Sequence, residues 1–290
     1  MKTIIIAEIG ECFNGDIKIA KKLMEKAKEA GCDIVKFQLL DLDEVAMDDP
    51  ERAWFEKITI TPSMLRKFIL WAKNLNLEIL FTPVSVRTAV WLVEEGIKTV
   101  KIASSFVSKA ELLEFINNNF DTVYASTGMA SLDEIAFMVE KLCNVKDLRL
   151  LHCISEYPTG PLLEERGLKS MDEADAHLYM MQILKNKYPN CMVGYSDHTD
   201  DIFVPSVAVA MGAEIIEKHI TLDRNTPIEH FKKNLEYMGT DHVVSVEPDK
   251  LREMVRNIRR IEAIKGSVEW KRSEGEKILM RFLKSRYKER

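Results

Sequence analysis

Two lysines interrupt runs of residues that otherwise read as buried strand. Lys36 stands in Ile34-Val35-Lys36-Phe37-Gln38 and Lys101 in Thr99-Val100-Lys101-Ile102. On a strand covered on both faces a solvated lysine has no place, so each ammonium needs a partner or a task. An inward lysine suits two chemistries: neutralising a bound anion, or forming a Schiff base with a carbonyl compound. The plainer alternative is an interior lysine neutralised by Glu8, which ends the apolar run Ile4-Ile5-Ile6-Ala7.

Two histidines form a second pair. His198 lies in Ser196-Asp197-His198-Thr199 and His219 in Glu217-Lys218-His219, each at the end of a strand-like run. Neighbouring strands run about 4.8 Å apart, so imidazoles at adjacent strand ends can reach one ion. Completed by water or a carboxylate, such a set suits Mn²⁺, Fe²⁺, Zn²⁺ or Co²⁺; a hydrogen-bonded pair without metal is the alternative. His152 reads as a core histidine, and His177 and His230 as helix-face and loop residues. Cys153 follows His152 in a buried run with no base beside it and reads as a small core residue. Ser126-Thr127-Gly128-Met129 leads into a helical stretch, where backbone N–H groups suit a phosphate.

The elements that must position these residues are legible from periodicity. Short β-branched runs at 3–9, 33–38, 78–81, 99–103, 122–126, 148–153, 191–195 and 214–219 alternate with amphipathic stretches near 16–31, 62–76, 85–96, 108–118, 131–143, 170–188, 200–212 and 248–265. This rhythm of repeated βα units predicts an α/β fold with a parallel sheet. Eight units predict a closed (β/α)₈ TIM barrel over residues 1–265, although an open doubly wound sheet has the same rhythm. Thr61-Pro62 reads as a helix cap and first turn, and Gly31, Gly96 and Gly212 as helix ends. Almost every strand ends in polar residues, and in a barrel functional side chains gather at those ends. Residues 266–290 form a charged tail in which Ile278, Leu279, Phe282 and Leu283 are spaced for a short amphipathic helix, expected to cap the barrel.

With 290 residues, 46% of them hydrophobic and 30% charged, the chain can bury a large core. Its formal net charge is −5 and its Lys and Arg are dispersed, which argues against a nucleic-acid surface. An acidic protein can still focus a local positive cleft on an anionic substrate. Five cysteines without a CxxC pair suit a reducing compartment. The apolar N-terminal run is too short for a signal segment or a membrane span. A cytoplasmic protein without membrane contact is the expectation.

Taken together, the motifs resemble the sialic acid synthase family, the N-acetylneuraminate synthases and their legionaminic and pseudaminic relatives. The resemblance runs through nearly the whole barrel. It is carried by Ala7-Glu8-Ile9-Gly10, Asn14-Gly15-Asp16, Lys36-Phe37-Gln38, Thr82-Pro83, Lys101-Ile102-Ala103-Ser104, Ser126-Thr127-Gly128-Met129, Leu151-His152-Cys153, Tyr157-Pro158, Gly194-Tyr195-Ser196-Asp197-His198-Thr199, Gly212-Ala213, Ile216-Glu217-Lys218-His219, Thr221-Leu222-Asp223 and Asp241-His242. It implies a metal-dependent condensation of phosphoenolpyruvate with an open-chain aldose, yielding a 3-deoxy-2-keto sugar acid and phosphate. By that likeness His198 and His219 hold the divalent ion, usually Mn²⁺, and Lys36 and Lys101 neutralise phosphoenolpyruvate. Thr82, Ser104, Ser126 and Ser196 match its hydroxyl shell, with Ser155 beside them. Glu8 matches the acid that orients or deprotonates the attacking water. Gln38, Tyr157 and Asp241 match acceptor-side positions, with Asp241 also among the catalytic set. A homodimer is implied as well.

The departures fall on the acceptor side. Cys12-Phe13 replace the family's Asn-His, Phe106 stands where a glutamate is usual, and Ser155 where an asparagine is common. Residues 228–238 lengthen the loop after the last strand, and this sequence stops before the antifreeze-like domain that normally follows the barrel, which a separate chain or its removal would equally explain. A different or smaller acceptor than N-acetylmannosamine is the expectation. Other readings of the same residues are a lysine-dependent aldolase, which would not need the histidines, and a metal-dependent hydrolase, which would leave both lysines without a task. A barrel that binds phosphoenolpyruvate or a sugar phosphate without turnover is a further one.

Overall fold

The structure, a computed structural model, describes the backbone of residues 2–49, 51–156, 171–232, 235–238 and 240–286, and the side chains of these outside 227–240. Among the described residues eight strands form the main sheet: β1 (Ile4–Glu8), β2 (Ile34–Leu39), β3 (Glu78–Pro83), β4 (Thr99–Ile102), β5 (Thr122–Ser126), β6 (Asp147–Cys153), β7 (Met192–Asp197) and β8 (Ile215–His219). They pair in the order β3-β2-β1-β8-β7-β6-β5-β4, every ladder parallel. β3 and β4, at the two ends of that order, lie side by side and nearly close the barrel. The β1–β8 ladder decides between the two folds that share this βα rhythm, because it joins the first strand to the last.

Several of the helices between the strands have chemically marked ends. The Asp16 carboxylate accepts from the Lys18 amide at the start of Ile17–Ala30, and Gly31 ends that helix at φ 91°. Thr61 caps Pro62–Leu75, with proline in the first turn, and Ser131 and Glu134 form a capping box on Leu132–Lys141.

Alternation along the strands gives the barrel its two layers. Odd-numbered partners such as Ile5, Ala7, Val35 and Phe37 face the helices, where Phe37 stacks on Phe68 with ring centroids 4.6 Å apart. The opposite face points into the barrel. There Ile6, Ile34, Leu80, Tyr124, Leu151 and Ile215 pack into an apolar plug. Two residues further along the same six strands, on the same face, stand Glu8, Lys36, Thr82, Ser126, Cys153 and Glu217. One step of the strand repeat therefore converts a dry core into a polar floor.

Several elements differ from the sequence expectation. The stretch near 170–188 holds a 3₁₀ turn, Glu173–Ala176, and a helix only over Met180–Lys187, because His177 at φ 43° breaks the helical path between them. β7 extends to Asp197, beyond its apolar run. A helix at Arg52–Ile58 and an antiparallel pair, Pro227–Lys232 with Leu235–Met238, were not expected; the pair falls in the lengthened loop, where backbone pairing makes strands of runs too charged to read as such. The tail forms the helix Glu274–Lys284, but Ile278, Leu279, Phe282 and Leu283 are each more than half exposed, so this face does not cap the barrel.

Candidate active site

A cavity of about 180 Å³ opens at the C-terminal ends of the strands. Its walls carry Glu8 and His219 from the β1–β8 seam, Lys36 and Gln38 from β2, Thr82 from β3 and Lys101 from β4. Ser104 and Ser155 come from the loops after β4 and β6, with Ser126, Ser196, His198 and Glu217 completing the ring. All the residues expected to bind phosphoenolpyruvate, both expected metal ligands, and Glu8 and Gln38 are thus brought to one place. Asp241 approaches from the helix Thr240–Val244 and sits beside them, its Oδ2 at 3.6 Å from His219 Nδ1 and accepting from the Glu11 amide at 2.9 Å. Gly10 makes that approach feasible, since a Cβ there would lie 2.3 Å from Asp241 Oδ2. Tyr157 lies outside the described residues.

The floor holds two cations and two acids, all buried. Lys36 Nζ donates to Glu217 Oε1 at 2.9 Å and lies 3.4 Å from Glu8 Oε2. Lys101 Nζ donates to both Glu217 oxygens at 3.1 Å. Ser196 Oγ donates to Glu217 Oε1 at 2.9 Å, and Gln38 Nε2 to Glu8 Oε1 at 3.0 Å. Burial alone would weaken every one of these charges. Lys36, between two carboxylates, overcomes burial and holds its proton above the ordinary lysine range. Lys101 donates to Glu217, with Glu8 a weaker influence, and burial with the repulsion of Lys36 brings it down to about 8. Glu217, facing both ammoniums, stays ionised far below the ordinary carboxylate range despite its burial. Glu8 is pushed up to about 7, chiefly by burial against the pull of Lys36, with Glu217 and Asp241 adding to the rise.

Around this floor runs a shell of hydroxyls. Ser104 Oγ accepts from the Gly128 amide at 3.1 Å, and a Cβ on Gly128 would meet Ser155 Oγ at 2.3 Å. Thr82 Oγ1 and Ser126 Oγ are buried and make no hydrogen bond. A buried hydroxyl without a partner is unfavourable unless a ligand supplies one, and both face the cavity floor.

His198 and His219 face each other with ring centroids 5.4 Å apart and an interplanar angle of 45°, a separation that one divalent ion can span. His198 Nδ1–H donates to the Ile154 carbonyl at 2.8 Å, which fixes the ring and assigns its lone pair to Nε2. Burial and the neighbouring charges of His198 and Lys36 hold His219 well below its usual pKa, in the neutral form that binds metal. For His198 burial is outweighed by Cys153 and the Ile154 carbonyl, and its pKa lies above the ordinary histidine value. Among the described residues no cluster of three or more His, Cys, Asp or Glu side chains is placed as a metal cage. Two facing imidazoles, one of them fixed by a backbone carbonyl, would leave the remaining positions of an ion to water and substrate oxygens.

Residues 23–270 match the model of the NeuB family. The chain belongs to this family. It is 35% identical to N,N'-diacetyllegionaminic acid synthase of Campylobacter jejuni, over 95% of this chain and 81% of that one. The Legionella pneumophila protein of the same name is 33% identical, over 95% and 77%. Among solved structures, the N-acetylneuraminic acid (sialic acid) synthetase of Leptospira borgpetersenii in complex with citrate superposes with a TM-score of 0.84 at 30% identity, covering 98% of this chain and 92% of that one.

Within this NeuB-family barrel, sequence reasoning overlooked Glu217. It is the carboxylate on which both lysines converge, where the plain alternative named Glu8 alone. Its signal was present: an acid between Ile216 and Lys218, in a strand buried along its whole length. Cys153 is buried, as a small core residue would be, and also lines the cavity, its Sγ 3.7 Å from His198 Nδ1, the nitrogen that donates to the Ile154 carbonyl. His152, as expected, is a core residue, its Nε2 2.8 Å from the Ala176 carbonyl. Phe106 lies outside the cavity walls and packs its ring under Lys109, 5.6 Å from Nζ to centroid. The helix Arg52–Ile58 contributes Trp54, whose Nε1 donates at 3.2 Å to Glu11 next to Asp241.

Proposed function

We propose that this NeuB-family chain condenses phosphoenolpyruvate with an aldose to give a 3-deoxy-2-keto sugar acid and inorganic phosphate, with a divalent ion, Mn²⁺ by preference, held by His198 and His219. The observation that carries the reading is the pair of buried ammoniums, Lys36 and Lys101, sharing Glu217 beside the unpartnered hydroxyls of Thr82 and Ser126. A small polyanion can accept from both ammoniums and both free hydroxyls at once, which a neutral ligand does less well.

In this reading Lys36 and Lys101 neutralise the carboxylate and phosphate of phosphoenolpyruvate, and Thr82, Ser104, Ser126, Ser155 and Ser196 orient its oxygens. An ammonium held as firmly as Lys36 has no lone pair for imine formation, which favours a charge clamp over a Schiff base there. C3 of phosphoenolpyruvate forms a bond to the aldehyde carbon, whose oxygen takes up a proton to become a hydroxyl. The C2 centre left electron-poor accepts the oxygen of water, and the Glu8 carboxylate removes the water's proton. Collapse of that centre to a ketone breaks the bond from C2 to the phosphate ester oxygen, and the hydroxyl proton leaves with the expelled phosphate. The ion, when bound, supplies Lewis acidity for the aldehyde oxygen. Gln38 and Asp241 hold the acceptor, and the changed residues on that side favour an aldose other than N-acetylmannosamine. Among the described residues no helix is long and apolar enough to cross a membrane. The reading includes a cytoplasmic homodimer, to be checked by fractionation and sedimentation.

The test is phosphate release from phosphoenolpyruvate with Mn²⁺ across N-acetylmannosamine and other aldoses, with a chelator control. Chelator-sensitive release with one aldose is the expected result. Binding of phosphoenolpyruvate without release from any aldose would favour the non-catalytic barrel, and an imine trapped by borohydride would favour the aldolase.

A further inference from the structure

The outward faces of β7 and β8 carry an ion pair where a barrel ordinarily carries aliphatic residues. Asp197 and Lys218 are register partners on the two strands, and both are fully buried. Lys218 Nζ donates to Asp197 Oδ2 at 2.6 Å and also to the Thr199 carbonyl. Thr199 returns to the same carboxylate, its Oγ1 at 2.8 Å from Oδ1 and 3.0 Å from Oδ2 and its amide at 3.2 Å from Oδ1. The residue between Asp197 and Thr199 is His198, and the residue after Lys218 is His219.

We infer that Lys218, Asp197 and Thr199 form a positioning clamp that sets the separation and direction of the two facing imidazoles. The inference rests on the reading of His198 and His219 as metal ligands. Because successive strand residues point to opposite faces, an ion pair on the outer face fixes the inner-face residues next to it without entering the cavity. Lys218 ties both flanks of His198 to the strand that carries His219, and the Ile154 carbonyl then fixes the His198 ring. Stability alone does not account for such a clamp, since a buried ion pair can often be replaced by well-packed apolar residues without loss. Here every donor and acceptor serves one three-residue turn centred on His198.

The experiment compares the wild-type chain with the double variant Asp197→Leu/Lys218→Met, which leaves no unpaired buried charge. Mn²⁺ affinity is read by electron paramagnetic resonance, phosphoenolpyruvate affinity by calorimetry, and folding by far-UV circular dichroism. The clamp predicts Mn²⁺ binding weakened about 10- to 100-fold, the range for partners that orient metal ligands, with phosphoenolpyruvate affinity within about two-fold of wild type. Wild-type Mn²⁺ affinity in the folded double variant would overturn it. Should that variant fail to fold, Thr199→Val removes only the hydroxyl's bonds to Asp197 and should weaken Mn²⁺ binding several-fold; an unchanged affinity there overturns the clamp equally. Failure of the underlying reading looks different: the wild type would then bind Mn²⁺ no better than His219→Ala.

Discussion

Glu217 receives the Lys101 ammonium on both of its carboxylate oxygens, at 3.1 Å from each. With Lys36 on the same carboxylate, one acid holds two buried cations that a substrate anion would have to share. Glu217→Gln should therefore destabilise the ligand-free protein by about 3 kcal/mol, the scale of a buried pair losing one partner. Phosphoenolpyruvate should restore much of that loss. Thermal melts with and without phosphoenolpyruvate check it; equal melting of variant and wild type in buffer would remove Glu217 as the counter-ion.

The pH profile of kcat/KM reports groups of the free enzyme. Glu8, raised to about 7, is in its carboxylate form above that pH, so activity should rise through about 7. Lys101, lowered to about 8, is charged below that pH, so activity should fall as pH rises through about 8. The profile should be a narrow bell. Glu8→Gln should lower kcat by about 10²- to 10⁴-fold and leave phosphoenolpyruvate binding in place; an unchanged kcat would remove Glu8 from the mechanism.

Thr82 and Ser126 separate stability from binding. Their hydroxyls have no partner in the empty site, so Thr82→Val and Ser126→Ala should leave stability unchanged or slightly raised. Each should weaken phosphoenolpyruvate about tenfold, through loss of a hydrogen bond to a charged group. A calorimetric titration showing undiminished affinity would place the anion elsewhere.

His198→Ala and His219→Ala should each weaken Mn²⁺ by at least about 100-fold, beyond what orienting partners carry. Turnover should disappear while phosphoenolpyruvate binding persists. Full turnover by His219→Ala after chelator treatment would contradict the metal assignment.

The strand repeat made much of this legible in advance. Short β-branched runs between amphipathic stretches located the eight strands and their order along the chain, and the polar residues ending them named the cavity walls, from Glu8 to His219. Helix ends were equally readable at Thr61-Pro62 and Gly31, where capping chemistry is local. The misses came where local pattern carried no signal. The Arg52–Ile58 helix and the 227–238 strand pair depend on what covers or pairs with them, and the path around His177 depends on a left-handed residue that no periodicity marks.

Residue types and the alternation of short apolar runs with amphipathic stretches by themselves determined a protein of eight βα units with lysines, acids and histidines at its strand ends, and the β1–β8 pairing that closes them into a barrel came from the structure. Only the tertiary structure decided who meets whom there. The stagger between strands in a barrel is set by tilt and closure, and a one-dimensional pattern contains neither. So Glu217, rather than Glu8 alone, takes both ammoniums from strands far away in sequence, and Asp197 meets Lys218 behind the histidines instead of in front of them.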